Sequence, residues 1–166
     1  MKKLALRKTK NFMSTSFSGD HILKEIEKQH NAVKERLAVI EISMKIMEIE
    51  EKEWDTFTKQ ASLKAANTKD SNRQATFERL KSISKNTATR YAEQRKKLET
   101  IQHELKDAAE RLDESMAVLK IERNLHSIIS SLPEEAALEP LAGFEENMRE
   151  VKRVIYTADA VLELTR

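Results

Sequence analysis

Residues 36–54 have the sequence RLAVIEISMKIMEIEEKEW, in which apolar residues are dense between Leu37 and Ile49. A 4,3 spacing of mostly apolar residues runs through them from Ile26 to Trp54, which is typical of a helix packed along a coiled-coil seam. The same helix carries a second apolar row at helical spacing, which consists of Val39, Ile42, Ile46 and Ile49. One neighbouring helix covers one face, so the second row raises the question of what covers it.

Composition restricts the protein class before any element is assigned. Charged residues make up 35% of the 166 residues and apolar residues 39%, with only two Gly and two Pro. Long helices with charged faces have this composition, whereas compact sheet proteins need more turn residues. The chain has no cysteine, which excludes disulfides, thiolate metal sites and thiol nucleophiles.

A polar hexamer at residues 67–72, NTKDSN, separates the first seam from a second one in shifted register between Phe77 and Leu119. Short polar side chains compete for the hydrogen bonds of nearby backbone groups and therefore favour caps and turns. Ser71 with Gln74 fits a capping box, and Asp20 fits the N-cap of the first helix. These features favour a helical hairpin; the alternative is one unbroken helix about 170 Å long.

Charge supports the hairpin, because a reversal near Asp70 brings the acidic run of residues 48–55 opposite the basic run of residues 81–95. A third seam follows Pro133 and runs from Leu138 to Leu162, with its helix beginning after Gly143. The predicted fold is all-α: an elongated antiparallel three-helix bundle or coiled coil with a two-helix hairpin arm. Its helices span about 20–66, 73–131 and 144–165 within one domain, 20–166, after a flexible basic leader, 1–19.

The predicted third helix is too short to reach residues 37–49, where the chain supplies only two helices. We therefore interpret Val39, Ile42, Ile46 and Ile49 as a partner-binding face for another helical chain, either a second copy or a different protein. The alternative is a bend or a longer third helix that buries these side chains internally. The predicted function is that of a non-enzymatic coiled-coil scaffold or assembly subunit, intracellular and most simply cytoplasmic.

The sequence gives no indication of catalysis, a cofactor, a metal site or a small-molecule substrate. Glu27 and His30 have the ExxH spacing of di-iron bundles, but no second ExxH accompanies them, so His30 is interpreted as a polar core residue. Trp54 and Tyr91 lie on the two seams and are interpreted as core aromatics with polar atoms at the rim.

Two basic stretches leave a second function open. The leader contains five basic residues and no acidic residue: Lys2, Lys3, Arg7, Lys8 and Lys10. The stretch from Arg79 to Lys97 contains seven basic residues, among which the candidates for anionic-surface contact are Arg90, Arg95, Lys96 and Lys97. They favour a solvated surface, a membrane-binding curved dimer of the BAR type, or nucleic-acid binding. For the leader alone, a mitochondrial import segment is a further interpretation.

Overall fold

The computed structural model describes residues 19–132 and 143–166, which form three helices and, within those ranges, no strand. We name them α1 (Gly19–Asn67), α2 (Ser71–Ser130) and α3 (Phe144–Leu164). The most extensive packing is between α1 and α2, and the prediction of an all-α helical bundle is confirmed. The helix ends lie within about two residues of the predicted bounds. Residues 1–18 of the predicted leader lie outside the described residues.

The turn between α1 and α2 covers residues 68–70 and confirms the hairpin over the unbroken helix. At the end of α1, the Thr68 hydroxyl donates to the Lys64 carbonyl at 2.6 Å. At the start of α2, the Asp70 carboxylate accepts from the backbone N–H of Asn72 at 2.9 Å and of Arg73 at 3.4 Å. Side chains thus satisfy backbone groups that both helix ends would otherwise leave unpaired.

Two predicted caps are wrong. The N-cap of α2 is Asp70 and not Ser71, and the Gln74 N–H donates to the Asp70 carbonyl at 2.9 Å. A carboxylate is a charged acceptor that also complements the positive end of the helix dipole, so Asp70 competes well with a neighbouring hydroxyl. Asp20 lies in the first described turn of α1 and is therefore inside the helix.

Helix α3 begins directly after Gly143, as predicted. Gly143 has φ +101°, and its carbonyl accepts the first helical hydrogen bond from the Asn147 N–H at 2.9 Å. Left-handed backbone of this kind strains any residue with a Cβ, although a Cβ at Gly143 would meet no atom within 4 Å. Glycine is therefore needed here for its conformation and not for space.

The described chain divides into two compact units. Unit 1 contains residues 19–36, 105–132 and 143–166, and unit 2 contains residues 37–104. Helices α1 and α2 contribute to both units, whereas α3 belongs to unit 1. The single domain predicted over residues 20–166 stays a prediction.

Unit 1 is a three-helix unit. The Asn147 amide of α3 donates to the Glu122 carboxylate of α2 at 2.8 Å, and Arg36 Nε of α1 donates to Thr165 Oγ1, just after α3, at 3.2 Å. Among the described residues, the five largest fully buried side chains all lie in unit 1: Ile26, Val33, Leu105, Leu112 and Leu119. Helix α3 adds the buried Val151 and Ile155, so all three helices contribute aliphatic side chains to the core.

Unit 2 consists of two helical segments and has a thinner core. Its buried residues are Ile40, Ala61, Ala65, Ser84 and Ala88, of which only Ile40 is large and aliphatic. Burial of small side chains removes little apolar area from water, so unit 2 gains much less from the hydrophobic effect than unit 1 does.

Candidate functional site

The second apolar row of α1 is exposed along its whole length. We call it the apolar strip; its side chains are Val39, 50% exposed, Ile42, 60%, Ile46, 54%, and Ile49, 57%. By contrast, Ile40 in the seam is only 5% exposed. At 100° per residue, the centre of the strip lies roughly 150° around α1 from the seam residues Leu37, Ile40, Met44 and Met47. Within unit 2 the strip therefore faces away from the helix that packs on the seam.

Charged residues line both edges of the apolar strip. Lys45 and Lys52 follow one edge at a seven-residue spacing, and Glu50 lies on the other. Lys52 Nζ lies 2.6 Å from the Glu48 carboxylate. This hydrogen bond, together with the charge of the Lys52 ammonium, holds the pKa of Glu48 below its ordinary value. Edges of this kind are typical of the positions beside a coiled-coil interface.

Across the seam of unit 2, one described ion pair joins the predicted acidic and basic runs. Arg95 Nε donates to Glu51 at 3.2 Å, and Arg95 Nη1 donates to Glu99 on its own helix, also at 3.2 Å. Arg95 and Glu51 are partly buried, whereas Lys81 of the basic run pairs with Glu78 within α2 at 3.8 Å. The matching of the two runs is thus concentrated at Glu51 and Arg95.

Near the turn, aromatic side chains of α1 and α2 border a shallow groove of about 300 Å³ in unit 2. Its lining residues are Trp54, Phe57, Gln60, Ala61, Lys64, Phe77, Leu80 and Ser84. The Trp54 and Phe57 ring centroids are 5.7 Å apart, and Lys64 Nζ lies 5.9 Å from the Phe77 ring centroid. Tyr91 is half-buried and does not line this groove.

Two exposed apolar residues of this surface, Phe57 and Leu80, were not predicted. Phe57 is 54% exposed, and Leu80, which the second seam placed in the core, is 47% exposed. For Phe57 a signal was available: it follows Val39 by 18 residues, which is five helical turns, so it continues the same face of α1. For Leu80 the seam spacing gave the wrong expectation, because Leu80 borders the open groove and does not lie in the core.

His30 is a buried polar residue of unit 1, as predicted, and it is 7% exposed. Its Nε2 lies 3.0 Å from Asp113 Oδ1 of α2, but this approach lacks the direction of a hydrogen bond, and Nε2 has no hydrogen-bond partner among the described residues. Within residues 19–132 and 143–166, no group of three or more His, Asp and Glu side chains is arranged to hold a metal ion.

The second basic stretch does not form one face. Arg79, Arg90 and Lys97 lie within about 20° of one another around α2, whereas Lys85 and Lys96 lie about 120° away. Arg90, Lys96 and Lys97 are exposed, and Arg95 is occupied by its two carboxylate partners. The leader lysines and Arg7 lie outside the described residues, so binding of an anionic surface stays a prediction.

In the part of the chain that the structure describes, no helix has both the length and the apolarity needed to cross a membrane. Comparison of the chain with family models, with curated proteins and with solved structures found no match.

Proposed function

We propose that this chain is a non-enzymatic assembly subunit that binds another helical chain through the apolar strip. The observation that carries the proposal is that Val39, Ile42, Ile46 and Ile49 share one face of α1 and are each at least 50% exposed. Contiguous exposed apolar rows bordered by polar residues are characteristic of protein–protein contact surfaces.

The energy available from this surface is of the same order as the cost of association. Covering the exposed half of four aliphatic side chains contributes roughly 3 to 6 kcal/mol, and a matching row on a partner contributes a similar amount. Association costs an estimated 4 to 15 kcal/mol in lost freedom. A partner helix with a continuous apolar row therefore offsets much more of this cost than a partner with scattered apolar residues does.

The thin core of unit 2 supports the same function. Unit 2 exposes the four side chains of the strip together with Phe57, Leu63, Leu80 and Ile83, whereas its one large buried aliphatic residue is Ile40. A bound helix would add apolar burial to the part of the chain that has least of its own. Binding of a partner would thus stabilise unit 2 as well as assemble the complex.

Site-specific photo-crosslinking tests the proposal. A photoreactive residue at Val39, introduced in the native source, is expected to capture a helical chain, which is either this protein or another. The double variant Ile42→Glu, Ile46→Glu is expected to abolish this capture while keeping the circular dichroism at 222 nm unchanged.

The matched control adds the same two charges at exposed polar positions of unit 1, as Asn124→Glu, Ser127→Glu. This control is expected to keep the capture at Val39. The proposal fails if a photoreactive residue at Ser127 captures the same proteins as one at Val39, or if the strip variant and the control behave alike.

A further inference from the structure

The charged residues beside the apolar strip bear on which chain binds it and in which orientation. We infer that a second copy of this chain binds the strip, with the two α1 helices parallel and in register. This inference rests on the proposed function, because it requires the strip to be a contact surface.

The strip has the spacing of two heptads. Val39 and Ile46 occupy a positions, and Ile42 and Ile49 occupy d positions, with intervals of three, four and three residues. In a parallel, in-register pair each of these residues faces its own copy, which gives four apolar layers. Glu53 occupies the next a position, and facing glutamates there end the contact after the fourth layer.

Charge at the edges favours the parallel arrangement. Lys45 occupies a g position and Glu50 the following e position, five residues later. In parallel coiled coils a g residue lies beside the e residue of the next heptad in the other helix. Lys45 of each copy therefore faces Glu50 of the other, so the symmetric dimer contains two such pairs.

An antiparallel arrangement has a like-charge contact at its centre. With the strip paired head to tail, the two-fold axis passes near Met44 and brings Lys45 close to Lys45 of the second copy. Glu50 would then approach Arg36 of the second copy, an attractive contact, because the hydrogen bond from Arg36 Nε to Thr165 Oγ1 at 3.2 Å leaves the other guanidinium N–H groups available. At these edge positions the parallel pair has only attractive contacts, whereas the antiparallel pair also brings the two Lys45 side chains together, so the edges favour the parallel orientation by repulsion.

Sedimentation velocity of the purified full chain over a range of concentrations tests this inference. We expect the wild-type chain to self-associate and Ile46→Glu to remain monomeric with unchanged helicity. Lys45→Glu or Glu50→Lys alone replaces two attractive pairs by two repulsive ones and should weaken association by about tenfold. The double variant Lys45→Glu, Glu50→Lys should restore it.

The double variant separates the orientations, because Glu at position 45 would still face its own copy in an antiparallel pair. Association that is not restored in the double variant overturns the parallel contact. A purified chain that stays monomeric at high concentration while a photoreactive residue at Val39 captures a different protein overturns the inference and leaves the proposed function standing. If the purified chain stays monomeric and the photoreactive residue at Val39 captures no chain, both the inference and the proposed function are overturned.

Discussion

Low concentrations of urea should open unit 2 before unit 1. Local unfolding follows the distribution of buried apolar contacts, so units with thin cores exchange their amide hydrogens through low-energy openings. Unit 1 contains Ile26, Val33, Leu105, Leu112 and Leu119 as fully buried large side chains. In unit 2 Ile40 is the one large aliphatic side chain that is buried, and the other buried residues are alanine and serine, so the two units should differ in local stability.

The size of the difference follows from the side chains. At about 1.5 to 3 kcal/mol for each fully buried aliphatic side chain, the five of unit 1 contribute roughly 8 to 15 kcal/mol before the cost of ordering the chain. Ile40 contributes roughly 1.5 to 3 kcal/mol in unit 2, and each buried alanine contributes less. We expect the opening free energy of amides in unit 2 to be lower by at least about 2 kcal/mol, which is roughly a 30-fold faster exchange.

Native-state hydrogen exchange read by mass spectrometry at several urea concentrations measures this difference. The Ile46→Glu variant should be used beside the wild-type chain, because a partner on the apolar strip would protect unit 2 and hide the effect. Peptides from 50–65 and 80–95 report on unit 2, and peptides from 105–120 report on unit 1. Equal opening free energies in both sets of peptides, in the variant, would refute the argument from burial.

Three local predictions concern the caps and one ion pair. Asp70→Ala should lower the free energy of unfolding by about 1 kcal/mol, because two backbone N–H groups lose their acceptor. Asp70→Asn should retain most of the stability, because its side-chain oxygen can still accept these hydrogen bonds. Equal losses in the two variants would argue against capping. Gly143→Ala should cost about 1 to 2 kcal/mol through backbone strain, and a neutral result in urea unfolding would contradict the left-handed conformation. Lys52→Met should raise the pKa of Glu48 toward its ordinary value in an NMR titration. Because the pKa of Glu48 is lower in the folded state, its contribution to stability is present above the unfolded pKa and is lost as the pH falls through the folded pKa. An unchanged Glu48 titration in Lys52→Met would assign the pKa shift to another cause.

The sequence was a good guide to helices and turns because the decisive signals are local. The polar hexamer at 67–72 separates two apolar seams in different register, and Gly143 is a residue of low helix propensity within the third seam; both mark real helix ends. The identity of the N-cap residue of α2 was harder to predict, because Asp70 and Ser71 are adjacent and both are chemically suited to an N-cap. Only the backbone conformation distinguishes the two.

Burial was predictable where large residues repeat and not where small ones intervene. Ile26, Val33 and Ile40 follow the seam spacing and are buried, whereas Leu80 follows its own seam and is half exposed. Leu80 borders the shallow groove together with Trp54 and Phe57, so it lies at the edge of the contact between the two helices of unit 2. Periodicity identifies a face of a helix, but it does not show which residues of that face the neighbouring helix covers.

The placement of the apolar strip connects the fold with the proposed assembly. Before residue 37, α1 belongs to a unit of three helices, and none of its large apolar residues there is among the strongly exposed ones. From Val39 onward α1 belongs to a unit with two helical segments, and a second apolar row begins. Along α1, the exposed apolar residues thus occur where the described chain supplies fewer helices, which is the distribution expected if another chain completes unit 2. A strip retained only by chance would have no reason to begin where unit 1 ends.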